Sequence, residues 1–444
     1  MNEAGSTSIR LVWTGALILC LVLSIFAVFR GGYVGPDYYT HFGRLTDWRQ
    51  VFDFAASNPP IYYLLGYGLF RLIGPQNAFP ITLSLLQIII SLVALAAFLI
   101  YCERRFRSRL VYLGFACFLI FLPVRVVHAT TIGTDWATVP LFVLILFLAD
   151  RFIGDSTSTP ANAALLGLAL AISIFTKYSF MALLPAILLL LLCIWGKRRW
   201  ELRRFLVICL LALTFPSAAA AYSFWASSQV HGYNTEKHWL PKGMPPDMDF
   251  KDLLSLKAAD IQLFGAPEYF KRDILAPHKH SYLALSHMGT FSDPMNLFQD
   301  LSVPQHFGAV LIPDQKTRRS WKTPVMQASI AVGALWTLLA LAGTAWMLLP
   351  AIKNLFRDKL EREDITALLA LPFFLVVFLP IPFVHAGALF GYWTPRLILP
   401  ALLYFFWAAF LLIDRKIARR RTAIAVAIFL LVLVQCTIEV AMLI

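Results

Sequence analysis

Apolar stretches long enough to cross a lipid bilayer recur along almost the whole chain, and they constrain its fold more than any other feature. A helix needs ~20 apolar residues to span ~30 Å of hydrocarbon. Hydrophobic residues make up 59% of the 444 positions and charged residues only 14%, a balance typical of proteins that cross the membrane many times. The sequence therefore predicts an all-α polytopic membrane protein.

The apolar stretches predict about eleven transmembrane helices. Their approximate ranges are 9–29, 79–101, 109–127, 136–152, 161–176, 178–195, 205–225, 325–349, 365–383, 396–413 and 422–443. Few positive charges precede the first stretch and no small-residue cleavage site follows it, so we interpret it as a retained span and not as a signal peptide.

The net charge of +13 does not indicate a nucleic-acid-binding protein, because the basic residues cluster in short loops between apolar stretches. Four such loops, at 103–109, 197–204, 352–363 and 414–421, fall on alternate turns of the chain. The positive-inside rule places them in the cytoplasm. We therefore expect the opposite face of the protein to look outward, away from the cytoplasm.

The stretch "IYYLLGYGLFRLI" (Ile61–Ile73) is apolar but short: at about 1.5 Å per residue it reaches only ~20 Å. We predict an amphipathic helix on the outer surface, with its tyrosines and Arg71 toward the lipid headgroups. Pro59 and Pro60 suit its beginning, because proline is tolerated in a first helical turn.

Three regions follow from this topology. Residues 1–225 form an N-terminal membrane module whose first outer loop covers 30–78, and residues 325–444 form the C-terminal transmembrane helices. Between them, 226–324 is polar and roughly 100 residues long, enough for a small extracytoplasmic loop or domain. The six cysteines fall in spans or at their basic ends, which predicts neither a disulfide framework nor a structural metal site.

Polar and aromatic residues from four separate loops are expected to meet at the outer face. The candidates are Asp37, Tyr38, Tyr39, His41 and Tyr62 in the first outer loop, Arg125, His128 and Asp135 around the third and fourth spans, Lys177 in a short hairpin, and His385, Tyr392 and Arg396 near the tenth span. The span interiors carry almost no charge, with Glu439 as the chief exception. Coupled transporters usually place ionisable groups at the midplane, so this distribution favours an enzyme that acts on lipid headgroups.

These residue types suit a reaction in which a lipid phosphate is the leaving group. Lys177 and Arg396 can hold a phosphate, and a carboxylate such as Asp37 can take a proton from an attacking hydroxyl. A departing phosphate needs no general acid, because it leaves as a stabilised anion. The chain lacks the G-x-G-x-x-G and G-x-x-x-x-G-K-[ST] motifs, so a lipid-linked sugar is a better donor than a soluble nucleotide.

Each candidate also has a purely structural interpretation. Asp37 could cap a turn, Lys177 could anchor the hairpin at the interface, and "YWTPR" could be an aromatic-belt segment with a snorkelling arginine. Two other functions stay open at this point: an outer-leaflet polysaccharide polymerase or ligase that relies on the long loop, and a lipid or solute transporter.

Five segments together resemble a known family. They are "GPDYYTHF", "NPPIYYLLGYGLFRLIG", "GTDWATVPLFVLILFLADR", "FTKYSFMALLPAILLLL" and "YWTPRLILPALLYFFWAAFLL". In order and topology they are similar to the GT-C superfamily of polyprenyl-phosphate-sugar glycosyltransferases, particularly bacterial protein O-mannosyltransferases and the lipid A aminoarabinose transferase. The resemblance covers most of 1–225 and, more faintly, 365–413. It implies an integral protein of the bacterial cytoplasmic (inner) membrane whose active site faces the periplasm.

The resemblance implies an inverting glycosyltransferase that moves a sugar from a polyprenyl-phosphate donor to a hydroxyl of a lipid, glycan or protein. Asp37 corresponds to the catalytic acidic residue, Asp135 to the second acidic residue of the outer cavity, and Lys177 and Arg396 to positions that hold donor phosphate. Many members carry an adjacent Asp-Glu or Asp-Asp pair, whereas Tyr38 follows Asp37 here. The resemblance therefore assigns no required cofactor, and the use of a divalent metal stays open.

Overall fold

The structure is a computed structural model that describes residues 3–33, 38–52, 59–74, 78–154, 160–198, 201–231, 282–291, 322–355, 361–378, 398–418 and 421–443. Regular structure in these ranges is helical, and none of them contains a strand. The α-helices are α1 (Glu3–Ala27), α2 (Tyr38–Thr46), α3 (Trp48–Val51), α4 (Ile61–Ile73), α5 (Ala78–Glu103), α6 (Arg109–Phe121), α7 (Pro123–Thr130), α8 (Thr138–Gly154), α9 (Pro160–Ile174), α10 (Leu183–Arg198), α11 (Leu202–His231), α12 (Tyr282–Phe291), α13 (Lys322–Leu355), α14 (Arg362–Phe378), α15 (Leu399–Leu412) and α16 (Thr422–Leu443).

Seven helical segments in the described part of the chain are long and apolar enough to cross a membrane. They are Ile9–Arg30, Ala78–Glu103, Asp135–Ile153, Tyr178–Trp195, Leu202–Ser223, Pro324–Asn354 and Thr422–Met442, and the bent pair α6–α7 makes an eighth if it is one span. The chain is therefore an all-α polytopic membrane protein, as predicted. The count of about eleven stays a prediction, because three expected spans correspond to shorter helices, α9, α14 and α15.

The third predicted span is broken, with α6 and α7 bent by 41°. Pro123 has no N–H, so the carbonyl of Leu119, four residues earlier, lacks its helical donor. The buried side chain of Arg125 replaces that donor: its Nε donates to the Leu119 carbonyl at 3.0 Å. The same guanidinium donates to the Ile120 carbonyl and, at 3.2 Å, to Cys20 Sγ in α1. Arg125 thus serves the bent backbone and forms no hydrogen bond with any candidate residue that the structure describes.

Three of the four loops predicted to be cytoplasmic contact one another at one end of the bundle, which we call the basic end. Arg105 forms ion pairs with Glu361 and with Glu363. Arg415 also pairs with Glu363, at 2.8 Å. These ion pairs join the loops that follow α5, α13 and α15, so the three loops lie on one side of the membrane, as the charge pattern predicts.

Asp414 ties the last of these loops to the beginning of α6. Its carboxylate accepts the backbone N–H groups of Arg107 and Ser108, each at 2.8 Å. The side chain of Ser108 in turn accepts the N–H of Val111, in the manner of a helix N-cap. Asp414 is buried, so these backbone N–H groups supply the hydrogen bonds that water would give to an exposed carboxylate.

The opposite end of α5 lies beneath α2, α3 and α4, which form a cover rich in aromatic side chains that we call the aromatic end. Since α5 has 26 residues, the two ends are separated by ~39 Å of helix. Helices α2 and α4 approach closely at Gly66, where a Cβ atom would lie 2.1 Å from Leu45 Cδ2. The absence of a side chain at Gly66 therefore permits this packing.

Helix α4 occupies the predicted residues Ile61–Ile73, but its predicted orientation is wrong for two tyrosines. Tyr62 and Tyr63 are 5% and 0% exposed and face the protein, whereas Leu65 and Leu72 are 72% and 86% exposed. The reason is that both phenol groups find hydrogen-bond partners inside. The apolar face of α4 points away from the protein, and its aromatic face lines the aromatic end.

Candidate functional site

The aromatic end contains a chain of contacts from Arg44 to His41. The Arg44 guanidinium lies over the ring of Tyr63, 3.8 Å from its centroid, and donates to the carbonyls of Gln50 and Val51 at 3.1 and 3.2 Å. The Tyr63 hydroxyl is 2.7 Å from His41 Nδ1. These contacts fix His41, a candidate substrate-binding residue, against α4.

A second network surrounds the amide of Gln87, a buried residue of α5. In the amide orientation that satisfies every neighbour, its nitrogen donates to the Thr131 carbonyl at 3.0 Å. Its oxygen accepts from the Tyr62 hydroxyl at 2.8 Å and from the Trp136 indole N–H at 3.0 Å. Burial raises the pKa of Tyr62 well above its usual range, so the phenol keeps its proton and acts as a donor.

These networks hold the turn at 131–137, which follows α7. The backbone N–H of Ile132 donates to the Tyr33 carbonyl at 3.1 Å, and the Ser84 hydroxyl donates to the Thr130 carbonyl. The ring of His41 packs closely against Gly133, where a Cβ atom would be 3.3 Å from His41 Nε2. The turn is therefore fixed from several sides just before Asp135.

Asp135 and Lys177 form an ion pair, although they are 42 positions apart in the sequence. Asp135 begins a short 3-10 turn (Asp135–Ala137) that leads into α8, and Lys177 precedes another (Tyr178–Ala182) that leads into α10. The two side chains are 14% and 12% exposed, so the ion pair is largely but not completely shielded from solvent. The N–H of Ile61 donates to the Phe175 carbonyl at 3.1 Å and fastens the start of α4 beside the hairpin.

Of the remaining candidates, three lie in described helices and four lie outside the described residues. Tyr38 begins α2 and stacks on Phe42, with ring centroids 5.4 Å apart, and Tyr39 is the next residue of that helix. His128 is buried in α7. The other candidates, Asp37, His385, Tyr392 and Arg396, lie outside the described residues, as does most of 226–324.

Several residues that organise this site were not among the candidates predicted from the sequence. They are Arg44, Tyr63, Ser84, Gln87, Gly133 and Trp136. A signal was present in α5, where Ser84, Gln87 and Ser91 are polar, buried and spaced three and four residues apart, on one helix face. Polar residues on one face of an otherwise apolar span predict a partner inside the bundle.

The site combines a carboxylate, an ammonium group, fixed phenol and imidazole groups and many aromatic rings. Among the described residues, no three His, Cys, Asp or Glu side chains are close enough together to hold a metal ion. All six cysteines are free thiols. An ammonium group at a partly open position can bind an anionic headgroup, and aromatic rings beside it can stack on a sugar or shield an apolar tail. No family model matches the chain, and no curated protein is significantly similar to it.

Proposed function

We propose that this protein is an inverting glycosyltransferase that moves a sugar from a polyprenyl-phosphate donor to a hydroxyl acceptor. The observation that carries the proposal is the partly exposed Asp135–Lys177 pair, held by separate segments at the end of the bundle opposite the basic loops. The aromatic surroundings and the resemblance to the GT-C superfamily support the same assignment. The acceptor is a lipid, a glycan or a protein.

Lys177 and Arg396 hold the donor phosphate in this proposal, and Asp37 is the base. Asp37 takes the proton from the acceptor hydroxyl while the hydroxyl oxygen forms a bond to the anomeric carbon from the face opposite the phosphate. The bond between that carbon and the phosphate oxygen breaks, and the lipid phosphate leaves with the electron pair. The configuration at the anomeric carbon is therefore inverted.

The aromatic end faces the periplasm in this proposal. The ion pairs at the basic end join three loops that are rich in arginine and lysine, and such loops stay in the cytoplasm. Polyprenyl-phosphate sugars presented in the outer leaflet would then reach the site from the membrane, which agrees with an ammonium group at the end of a transmembrane hairpin.

The decisive experiment uses purified protein, a panel of radiolabelled undecaprenyl-phosphate sugars and identification of the labelled product. Asp37→Asn should lower turnover at least ~100-fold, the usual contribution of a general base, while expression and folding remain normal. Near-normal turnover in this variant would remove Asp37 from the mechanism. No transfer from any donor by the unaltered protein would refute the proposed function.

The alternative function, a polymerase or ligase, relies on the long loop. The variant His287→Ala distinguishes it from the proposed glycosyltransferase. His287 in α12 bonds through both ring nitrogens, to Thr337 Oγ1 at 2.8 Å and to the Ile330 carbonyl at 2.9 Å. Both partners belong to α13, so we assign His287 a structural role. Transfer that survives Asp37→Asn but is lost in a folded His287→Ala variant would favour the alternative.

A further inference from the structure

Lys177 lies at a poorly solvated position, where its positive charge requires a negatively charged partner. With 12% exposure, the ammonium group is largely removed from water, and an unpaired charge there would be costly. The pair is nevertheless open enough for a headgroup to reach it. An anion that binds Lys177 can therefore replace the carboxylate as the partner of the ammonium group.

The turn that begins at Lys177 offers more hydrogen-bond donors than a carboxylate uses. The hydroxyl oxygens of Tyr178 and Ser179 are shielded from solvent and meet no hydrogen-bond partner within the described part of the chain. Tyr178 also lies within electrostatic reach of the Arg44 guanidinium. A phosphate group has three acceptor oxygens and can accept hydrogen bonds from hydroxyl groups as well as from an ammonium group.

The aromatic residues beside Lys177 favour a phosphate that is carried by a lipid. The residue lies in the turn between α9 and α10, and an aromatic cluster is next to it. Phe175 contacts Tyr222, and Tyr222 contacts Trp225, with ring centroids 5.9 Å apart in each case. Aromatic rings of this kind concentrate at the level of the headgroups. A phosphate bound to Lys177 would then lie where lipid phosphates lie.

We infer that Asp135 is a counter-ion which Lys177 exchanges for the phosphate of a polyprenyl phosphate, so that donor binding releases the Asp135 carboxylate. This inference rests on the proposed function, and it gives Asp135 a role that the family resemblance does not imply. The released carboxylate belongs to the turn that packs against His41, which places it beside the aromatic end. Donor therefore binds first, and Asp135 becomes available for the acceptor only afterwards.

The test measures the affinity of the full-length protein in lipid nanodiscs for undecaprenyl phosphate, which carries no sugar. Asp135→Asn removes the competing carboxylate and should bind about tenfold more tightly, while Lys177→Gln should bind at least about tenfold more weakly. Asp150→Asn is the matched control. It removes a carboxylate that pairs with Arg362 at 3.2 Å at the other end of α8, and it should leave the affinity unchanged.

An Asp135→Asn variant that folds and binds undecaprenyl phosphate no more tightly than the unaltered protein would overturn the inference. If this variant does not fold, the unaltered protein provides the test through labelling of carboxylates by carbodiimide and glycine ethyl ester. Undecaprenyl phosphate should raise the labelling of Asp135 several-fold relative to Asp150, and unchanged or lower labelling would contradict the exchange.

Three further outcomes separate this inference from the proposed function on which it rests. Inorganic phosphate that raises Asp135 labelling at the same concentration as undecaprenyl phosphate would refute the assignment to a lipid. Sugar transfer together with unchanged affinity in Asp135→Asn would refute the exchange and leave the glycosyltransferase standing. Absence of both lipid-phosphate binding and transfer would refute the proposed function itself.

Discussion

The sharpest prediction from the geometry concerns Gln87→Leu. Leucine is similar in size but neither donates nor accepts, so the Tyr62 hydroxyl and the Trp136 indole lose the acceptor at 2.8 and 3.0 Å, and the Thr131 carbonyl loses its donor. A buried donor without a partner costs ~1–3 kcal/mol. Tyr62 is buried and Trp136 half-buried, so we expect a loss of about 2–4 kcal/mol in the free energy of unfolding.

Denaturant titration in mixed micelles measures this loss. Thr82→Val, on the same helix, is the control: the Thr82 hydroxyl donates only within α5, to the Ala78 carbonyl at 2.9 Å, and its removal should cost less than about 0.5 kcal/mol. Combining Gln87→Leu with Tyr62→Phe removes one stranded donor, so the double variant should lose about 1 kcal/mol less than the sum. Strict additivity, or a loss below about 1 kcal/mol for Gln87→Leu, would refute the network.

Two further predictions concern the ends of the bundle. Asp414→Ala removes the acceptor of the Arg107 and Ser108 N–H groups and should destabilise the protein by about 1–2 kcal/mol, measured by the same titration; an unchanged midpoint would contradict the capping role. Gly66→Ala places a methyl group against Leu45 and should destabilise by about 1–2 kcal/mol. Gly68→Ala has open space and should be neutral or slightly stabilising, so equal effects of the two substitutions would contradict the close packing of α2 and α4.

Local patterns predicted the class of fold and several elements well. The length and periodicity of the apolar stretches predicted a helical membrane bundle, and the boundaries of Ile61–Ile73 agree with α4. The charge pattern predicted that basic loops would gather on one side, because such loops are sorted by a rule that acts on each loop separately. The short 15-residue α9 shows where that approach fails: helix length depends on packing as well as on hydropathy.

The parts of the site that sequence could not supply are the pairings between distant segments. Asp135 and Lys177 were each a candidate, but their direct ion pair depends on how α8 and α9 pack, which no local pattern encodes. The predicted orientation of α4 was wrong for a related reason. Its aromatic and aliphatic residues are both apolar, and only the partners His41 and Gln87 decide which face turns inward.

The bent third span has a consequence for biosynthesis. Arg125 is synthesised on an early segment, and a charged side chain at the centre of a bilayer costs ~2.5–3.5 kcal/mol during insertion. Its hydrogen-bond partners are the carbonyls of Leu119 and Ile120 in α6 and the thiol of Cys20 in α1. The guanidinium is therefore satisfied as soon as α1, α6 and α7 have inserted together, and the bent span does not wait for the helices that are synthesised later.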